Sequence, residues 1–335
     1  MNIKERMVDF VSRFDPHFLQ SITDVIDEQK NFHPVDVDLD DKLGDIITAY
    51  ASNGKRIRPF LIEYLSGKTI DNKDVLNTTL SAELFHLIAL IHDDIMDQSK
   101  LRRGVKTVHT AIDAYSVHNK RLGEDVALMI GDSFLVESLR YAARAPKEVF
   151  DEISMILQKT IRGQYLDVFG MNTAYGESTH EIVQARESLK TAWYTFAGPA
   201  QLGLMLRDEK LSQEHEQLVV DTYLEIGFLY QIRDDIIDCS KDRKDKTPFE
   251  DIVEGQTTWV TLYIKEHFPE KHQAIVTARD INDRTEIEDI FNDIDLATPY
   301  QQEFEKRVLL VENLKAVSEE MYTKTKEVLE LLKLN

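Results

Sequence analysis

Cysteine, glycine, proline and long hydrophobic runs are all scarce in this chain of 335 residues. Its one cysteine, Cys239, excludes an intramolecular disulfide and is typical of a reducing compartment such as the cytoplasm. The 13 glycines and 8 prolines are too few for a turn-rich sandwich or barrel, and they favour long, uninterrupted helices. No apolar run approaches the length of a bilayer-spanning helix, and charges interrupt the apolar residues near the N-terminus. We therefore expect neither a transmembrane segment nor a signal peptide.

Positive charge is also in the minority, because 60 acidic residues against 40 basic ones give a net charge of −20. Such a surface repels the phosphates of nucleic acids and anionic lipids, so neither is an expected partner. Hydrophobic residues make up 42% of the chain and charged residues 30%, which is the composition of a soluble globular protein with a full core.

Apolar residues recur every three or four positions almost throughout the chain, which predicts an all-α protein. Shorter helices are predicted over 2–12, 18–30, 39–52 and 56–67, and a polar loop over 240–257. Long helices are predicted over 74–98, 122–144, 147–173, 180–206, 212–240 and 300–333. Helices of this length are typical of a large bundle. Since no linker, repeat or composition shift divides the sequence, we expect residues 1–335 to form a single domain.

Two aspartate-rich segments lie late in long apolar helices, at 92–97 and 233–238. In each, the first and last aspartates are four residues apart and share one face of the helix. Carboxylates grouped in this way, together with phosphate oxygens, are natural ligands for a hard divalent ion such as Mg²⁺. The candidate metal ligands are Asp93, Asp94, Asp97, Asp234, Asp235 and Asp238. The alternatives are solvated helix ends, or a di-iron site on Glu83 and His86, for which the second Glu-x-x-His motif is missing.

Basic residues cluster close to these acidic segments, although they are the minority charge. Arginine forks and lysine charges, combined with carboxylate-held Mg²⁺, are the groups that a diphosphate requires. Any one cluster taken alone could equally be a solvated surface. The clusters are Lys55 to Arg58, Arg102-Arg103, Lys190 and Lys246.

In their order and spacing, these residues resemble the trans-isoprenyl diphosphate synthases, or polyprenyl synthetases. The resemblance runs from residue 54 to about residue 258. It implies an all-helical isoprenoid synthase fold in which the two aspartate motifs face each other across a deep central cavity. The matching landmarks are Gly54-Lys55-Arg56-Ile57-Arg58-Pro59, His86, Asp93-Asp94-Ile95-Met96-Asp97, Arg102-Arg103-Gly104, Gly131-Asp132, Gly163-Gln164 with Asp167, Lys190-Thr191, Tyr230 to Asp238, Lys246 and Asp251.

The resemblance implies a prenyltransferase that joins isopentenyl diphosphate to an allylic diphosphate, with three Mg²⁺ ions held by the six aspartates. The allylic carbon–oxygen bond would ionise, the isopentenyl double bond would attack the cation, and the released diphosphate would take the proton. Isopentenyl diphosphate would be bound by Lys55, Arg58, His86 and Arg103. The allylic diphosphate would be bound by Arg102, Lys190, Thr191, Gln231 and Lys246. The catalytic residues would be Asp93, Asp97, Arg102, Lys190, Thr191, Gln231 and Asp234.

Three positions depart from the family pattern. Asn53 replaces the first glycine of the usual Gly-Gly-Lys-Arg, and Asp245 replaces the glycine before Lys246. Gln256 stands where the family usually has the lysine of Gly-Lys-x-Thr, so one positive charge expected at the allylic diphosphate is missing. These changes could weaken allylic binding, or indicate a partner subunit.

Product length in this family depends on residues just before the first aspartate motif, where a bulky aromatic stops growth at fifteen carbons. Here the fifth and fourth residues before Asp93 are Ile88 and Ala89, neither of them aromatic. Phe85 lies one helical turn deeper, and we expect it to form a floor for a product of about twenty carbons or longer.

Three other functions stay open at this point. A terpene cyclase would not need the isopentenyl diphosphate site. A regulatory subunit of a heteromeric synthase would fit the replacement of the usual lysine by Gln256. A purely structural helical bundle would need no diphosphate site. By resemblance we expect a homodimer, with the helix around Gly131 as its candidate interface.

Overall fold

The computed structural model of the protein describes residues 2–32, 40–170, 175–240 and 248–334. Its described residues are overwhelmingly helical, which confirms the all-α fold class. They fold into two compact units, and the expectation of a single domain over 1–335 stays a prediction. Lys246 and Asp245 lie outside the described residues.

The first unit comprises Met1–Ser154 and Leu202–Lys210. Its longest central helix, α4, packs mainly against α6 and α3. A short β-hairpin follows α4 directly. The elements are α1 (Ile3–Phe32), α2 (Asp40–Ala51), α3 (Ile57–Ser66), α4 (Lys73–Met96), β1 (Leu101–Arg102), β2 (Val105–Lys106), α5 (Val108–Asp113) and α6 (Leu122–Ala142).

By length and composition alone, α4 is apolar enough to cross a membrane. However, 61% of its most apolar window is buried inside the structure, as expected for the core helix of a globular unit. Its side chains pack on several sides; Leu84 and Ile91, for example, are at most 1% exposed. The sequence prediction that no segment spans a membrane is compatible with this burial.

The prediction of two separate helices over 2–12 and 18–30 is wrong, because α1 continues through Pro16. A proline inside a helix removes one backbone hydrogen bond and costs about 3 kcal/mol. Three phenylalanines spaced four residues apart offset that cost: Phe10 stacks on Phe14 at 5.1 Å, and Phe14 stacks on Phe18 at 6.0 Å. All three are at most 1% exposed, so burial of this aromatic face outweighs the local preference.

The second unit comprises Met155–Gln201 and Leu211–Asn335. Helix α10 is its longest element and packs chiefly against a π-helix and α15. The elements are the C-terminal part of α7 (Lys147–Gly170), α8 (His180–Glu187), the π-helix (Ser188–Ala197), the first half of α9 (Gly198–Met205), α10 (Gln213–Asp238), α11 (Glu250–Glu254), α12 (Trp259–His267), α13 (Pro269–Asp280), α14 (Arg284–Phe291), α15 (Ala297–Glu312), a 3₁₀-helix (Asn313–Ala316) and α16 (Glu319–Glu330).

Two of the long helices predicted from periodicity are interrupted. The segment 180–206 changes from α to π and back to α, and the segment 300–333 is broken by the 3₁₀-helix. The predicted polar loop over 240–257 contains α11. Apolar spacing does not distinguish these local changes of helix type, because each keeps one face against the core.

Candidate active site

The three aspartates at the end of α4 are not equivalent. Asp94 is 1% exposed, and each of its carboxylate oxygens accepts a hydrogen bond, one from the Tyr50 hydroxyl at 2.5 Å and one from Arg102 Nε at 2.7 Å. Burial raises the pKa of Tyr50 well above its usual value, so its hydroxyl remains a donor. Asp93 and Asp97 are half-buried and lie one helical turn apart. Asp94 therefore anchors Arg102, while the outer two aspartates form the predicted carboxylate pair.

Arg102-Arg103-Gly104, one of the family landmarks, lies in the hairpin between β1 and β2. Its two central residues both have positive φ, 53° at Arg103 and 81° at Gly104, as in a type I′ turn. An arginine in this left-handed conformation costs roughly 1–2 kcal/mol. Retained backbone strain of this kind is found preferentially at functional sites.

A second group of positive charges surrounds His86. Burial, followed by the charges of Arg58 and Arg103, holds the pKa of His86 well below its usual value. His86 and Arg103 also line one small cavity. Lys55 is exposed on the loop before α3. The structure therefore brings three of the four predicted isopentenyl diphosphate ligands into one electrostatic group beside a loop that carries the fourth.

Arg56 lies between two of the predicted ligands but has a different role. Its side chain is 2% exposed and bonds to Asp15 at 2.7 Å, to Glu83 at 2.9 Å and to the carbonyl of Ala51 at 2.7 Å. Its guanidinium also lies over the ring of Phe18, 4.5 Å from the centroid. These contacts fix the loop before α3, which also carries Lys55.

In the second unit, α10 ends in the other aspartate-rich segment. Asp234 is half-buried, whereas Asp235 and Asp238 are each 2% exposed. Asp235 accepts a hydrogen bond from the side-chain amide of Gln231 at 2.7 Å and another from the backbone N–H of Trp259 at 3.3 Å. Gln231 thus contacts the middle aspartate of the motif, as Arg102 does in the first unit.

Buried carboxylates repel one another around this end of α10. Burial raises the pKa of Asp235, and the negative charges of Glu187 and Asp251 raise it further. Asp238 accepts a hydrogen bond from the backbone N–H of Asp251 at 3.3 Å. A cation placed here would relieve this repulsion.

Lys190 and Thr191 lie in the π-helix, a distortion that is frequent at functional sites. Two glycines let neighbouring helices approach it closely. A Cβ atom on Gly163 of α7 would lie 2.4 Å from the backbone nitrogen of Lys190, and one on Gly227 of α10 would lie 2.5 Å from Cα of Ala192. Both helices therefore fix the backbone that carries the lysine and the threonine.

Sequence reasoning missed Arg186, one helical turn before Lys190. Its side chain is 11% exposed and donates to Gln256 Oε1 and to the carbonyl of Thr257, both at 2.9 Å. Its Nε lies 3.5 Å from Asp167, the carboxylate that also pairs with Lys190. The available signal was a second basic residue at the i, i+4 spacing in an acidic chain.

The donor set of the described residues fits Mg²⁺ that is shared with a substrate. They contain no preformed group of three acidic, histidine or cysteine side chains able to hold a metal. Mg²⁺ commonly binds through one or two carboxylates, with the remaining positions taken by water and substrate phosphates. Asp93 with Asp97 supplies such a pair in the first unit.

The predicted chain-length residues lie on α4. Phe85 and Ile88 are 5% and 4% exposed, whereas Ala89 is half-buried. Phe85, Ala89 and Asp93 are spaced four residues apart and therefore follow one ridge of the helix. The small side chain at Ala89 leaves Phe85 as the bulky group on that ridge.

Sequence comparisons point to one family. A sequence model of the polyprenyl synthetase family matches residues 40–294. A short chain isoprenyl diphosphate synthase from Methanocaldococcus jannaschii is 29% identical over 75% of this chain and 72% of its own length. A geranylgeranyl diphosphate synthase from Sulfolobus acidocaldarius is 26% identical over 88% of this chain and 87% of its own length.

Solved structures agree on the fold. A geranylgeranyl pyrophosphate synthase from Corynebacterium glutamicum, complexed with isoprenyl diphosphate and magnesium, superposes with a TM-score of 0.76 at 21% identity. That match covers 96% of this chain and 98% of the other. A farnesyl diphosphate synthase from T. Brucei, complexed with a bisphosphonate, has a TM-score of 0.78 at 17% identity and covers 98% and 99% of the two chains.

Proposed function

Because the chain belongs to the polyprenyl synthetase family, we propose that it is a trans-prenyltransferase that joins isopentenyl diphosphate to an allylic diphosphate. The observation that carries this proposal is the hairpin after α4. It directs two consecutive arginines to different places: Arg102 bonds to the aspartates, and Arg103 lines a cavity together with His86. One short element thus serves two adjacent anion sites, which a condensation of two diphosphates requires.

Isopentenyl diphosphate binds at the second of these sites. Arg58 and Arg103 supply the charge, and neutral His86 supplies a hydrogen bond to a phosphate oxygen. Lys55 joins them from the exposed loop before α3. The carboxylate that lines this cavity, Glu83, is paired with Arg56, so we expect the site to bind without a metal.

The allylic diphosphate depends on a divalent metal, and we propose three Mg²⁺ ions. Bound Mg²⁺ neutralises the charge that develops on the departing diphosphate. The outer aspartates, Asp93 and Asp97 in the first unit and Asp234 in the second, are the proposed ligands, with Asp94, Asp235 and Asp238 supporting them. Arg102 and Lys190 hold diphosphate oxygens directly, and Lys246 is proposed for the same role.

Once the carbon–oxygen bond ionises, the chain has to stabilise an allylic cation and position the second substrate. Thr191 and Gln231 offer oxygen dipoles to the cation. Holding isopentenyl diphosphate beside it turns the attack of the double bond into an intramolecular step. The proton goes to the released diphosphate, so no side chain is assigned as a general base.

The product is proposed to have about twenty carbons or more, because Phe85 is the bulky residue on the α4 ridge one helical turn below Ala89. A homodimer is also proposed, supported by exposed apolar residues on α6: Met129 and Val136 are 60% and 54% exposed. A cytoplasmic location fits the single cysteine.

A non-catalytic subunit is the second candidate, because Gln256 lacks the lysine charge. The case for a non-catalytic subunit is weaker because the Arg186 guanidinium lies 2.9 Å from Gln256 Oε1 and brings a positive charge to this position. Turnover by the purified chain alone would exclude it.

Calorimetry tests the two-site proposal. Isopentenyl diphosphate should bind equally well with Mg²⁺ or with EDTA, whereas a non-hydrolysable thio analogue of geranyl diphosphate should bind with Mg²⁺ only. Equal metal dependence of both ligands would contradict the assignment.

A further inference from the structure

Arg186 lies between two buried carboxylates of the second unit. Its guanidinium is 3.5 Å from Asp167 Oδ1 and 3.6 Å from Glu187 Oε1. Each of these acids is 7% exposed or less. Burial raises the pKa of Glu187 to about 7, while Arg186 opposes that rise. A single buried arginine therefore compensates much of the negative charge in this region.

Asp167 is shared between two cations on one helix face. Its Oδ1 faces Arg186, and its Oδ2 contacts Lys190 Nζ. The side chain of Lys190 is 28% exposed, compared with 11% for Arg186, so the lysine is the partner closer to solvent. When Lys190 turns to a diphosphate, Asp167 loses one partner. A buried carboxylate left unpaired is strongly destabilising, and Arg186 keeps it paired.

The remaining bonds of Arg186 go to neutral acceptors. Nη1 donates to Gln256 Oε1 and Nη2 donates to the carbonyl of Thr257, both at 2.9 Å. These bonds fix the guanidinium in direction without neutralising it, so its charge remains directed at Asp167 and Glu187. A carboxylate in place of the amide at position 256 would compete for that charge.

We propose that Arg186 is a positioning residue for Lys190. It keeps Asp167 compensated while Lys190 transfers to the allylic diphosphate, and Gln256 holds the Arg186 guanidinium in that position. This inference rests on the proposed prenyltransferase function, and it assigns to the Arg186–Gln256 pair a specific role in allylic binding.

A substitution cycle on Arg186 and Gln256 tests the proposal. The Michaelis constants for geranyl diphosphate and isopentenyl diphosphate would be measured with Mg²⁺ for the wild type, Arg186→Met, Gln256→Lys and the double variant. Loss of a buried charge-assisted contact corresponds to a factor of about 10–100, so we expect Arg186→Met to raise the constant for geranyl diphosphate by that factor. The constant for isopentenyl diphosphate should stay within about 2-fold. Gln256→Lys should restore most of the loss in the Arg186→Met background.

Gln256→Glu is the second arm, and it does not depend on the folding of Arg186→Met. The new carboxylate would pair with Arg186. We therefore expect a higher melting temperature together with a severalfold higher Michaelis constant for geranyl diphosphate. A merely structural role would move stability and activity in the same direction. Lys315→Met, which removes an exposed charge from the 3₁₀-helix of the same unit, should leave both constants unchanged.

The outcomes separate the two proposals. If the wild type itself makes no product, the prenyltransferase function fails. Arg186 does not position Lys190 if the wild type is active but Gln256→Glu leaves the Michaelis constant for geranyl diphosphate unchanged. The same conclusion follows if a folded Arg186→Met raises the Michaelis constants for both substrates equally.

Discussion

At the scale of single residues, Arg103 combines backbone strain with a functional charge. Its φ of 53° belongs to a type I′ turn, in which asparagine is favoured at that position. We therefore expect Arg103→Asn to preserve or raise the melting temperature while it raises the Michaelis constant for isopentenyl diphosphate about 10- to 100-fold. Steady-state kinetics and thermal unfolding measure the two effects. Lys106→Asn, in the same hairpin but exposed, is the matched control. Retained affinity in Arg103→Asn would remove this residue from the site.

His86 gives a pH dependence of stability with a defined sign. Its pKa is well below the usual 6.5 in the folded protein, so below pH 6.5 the unfolded chain binds a proton that the folded chain does not. This difference makes the free energy of unfolding fall as the pH drops below about 6.5. We expect His86→Gln to reduce the loss of melting temperature between about pH 7.5 and 5.5.

The control for this effect is His118→Gln, which replaces an exposed histidine of the same unit and should keep the wild-type slope. Identical slopes for His86→Gln and the wild type would show that the surroundings of His86 do not suppress its protonation.

At the scale of elements, the π-helix is held by close backbone contacts. A methyl group on Gly163 would lie 2.4 Å from the backbone nitrogen of Lys190, so Gly163→Ala should displace the π-helix and lower both kcat and the melting temperature. Overpacking of this kind costs typically 1–3 kcal/mol. Gly170→Ala, in the same helix but with no atom within 4 Å of the added carbon, should be close to neutral. Equal behaviour of the two variants in kinetics and unfolding would show that the close contact at Gly163 does not hold the π-helix.

We expect the ridge on α4 to set the chain length of the product. Phe85→Ala should lengthen the product by opening the floor, and Ala89→Phe should shorten it to fifteen carbons, as the family pattern implies. Chromatographic sizing of the products measures both. Because removing a buried phenylalanine costs about 3–5 kcal/mol, the length must be compared at a temperature where both variants are folded. A product unchanged in both variants would exclude the ridge as the determinant.

Helical periodicity predicted the elements that carry both aspartate segments, because α4 and α10 bury apolar residues at every turn. It did not predict the continuation of α1 through Pro16, since the aromatic stack that offsets the proline depends on tertiary packing. Helical periodicity also did not predict the π-helix, because this element depends on contacts at Gly163 and Gly227 rather than on its own composition.

Among the site residues, helical spacing predicted that Asp93 and Asp97 share one face of α4, and both are half-buried in the structure. Spacing could not predict the distinct role of Asp94, because its partners Tyr50 and Arg102 are 44 and 8 residues away in the sequence. Arg186 escaped prediction because its partners, Asp167 and Gln256, are 19 and 70 residues away.

At the scale of the whole molecule, a chain with a net charge of −20 is proposed to bind two polyanionic substrates. Each unit holds cations beside buried carboxylates. Arg102 pairs with the aspartate-rich end of α4 in the first unit, and Lys190 and Arg186 pair with Asp167 of α7 in the second. The overall acidity therefore does not oppose the proposed function, because the short-range pairing outweighs the screened long-range repulsion.

The most direct test of the central claim is a product assay with the purified full chain. Labelled isopentenyl diphosphate and Mg²⁺ would be incubated with allylic primers of five, ten and fifteen carbons, and the products would be sized with and without EDTA. We expect elongation that EDTA abolishes and a product of about twenty carbons or more, the length expected from a floor at Phe85 two turns below Asp93. Absence of elongation with every primer, or elongation that survives EDTA, would contradict it.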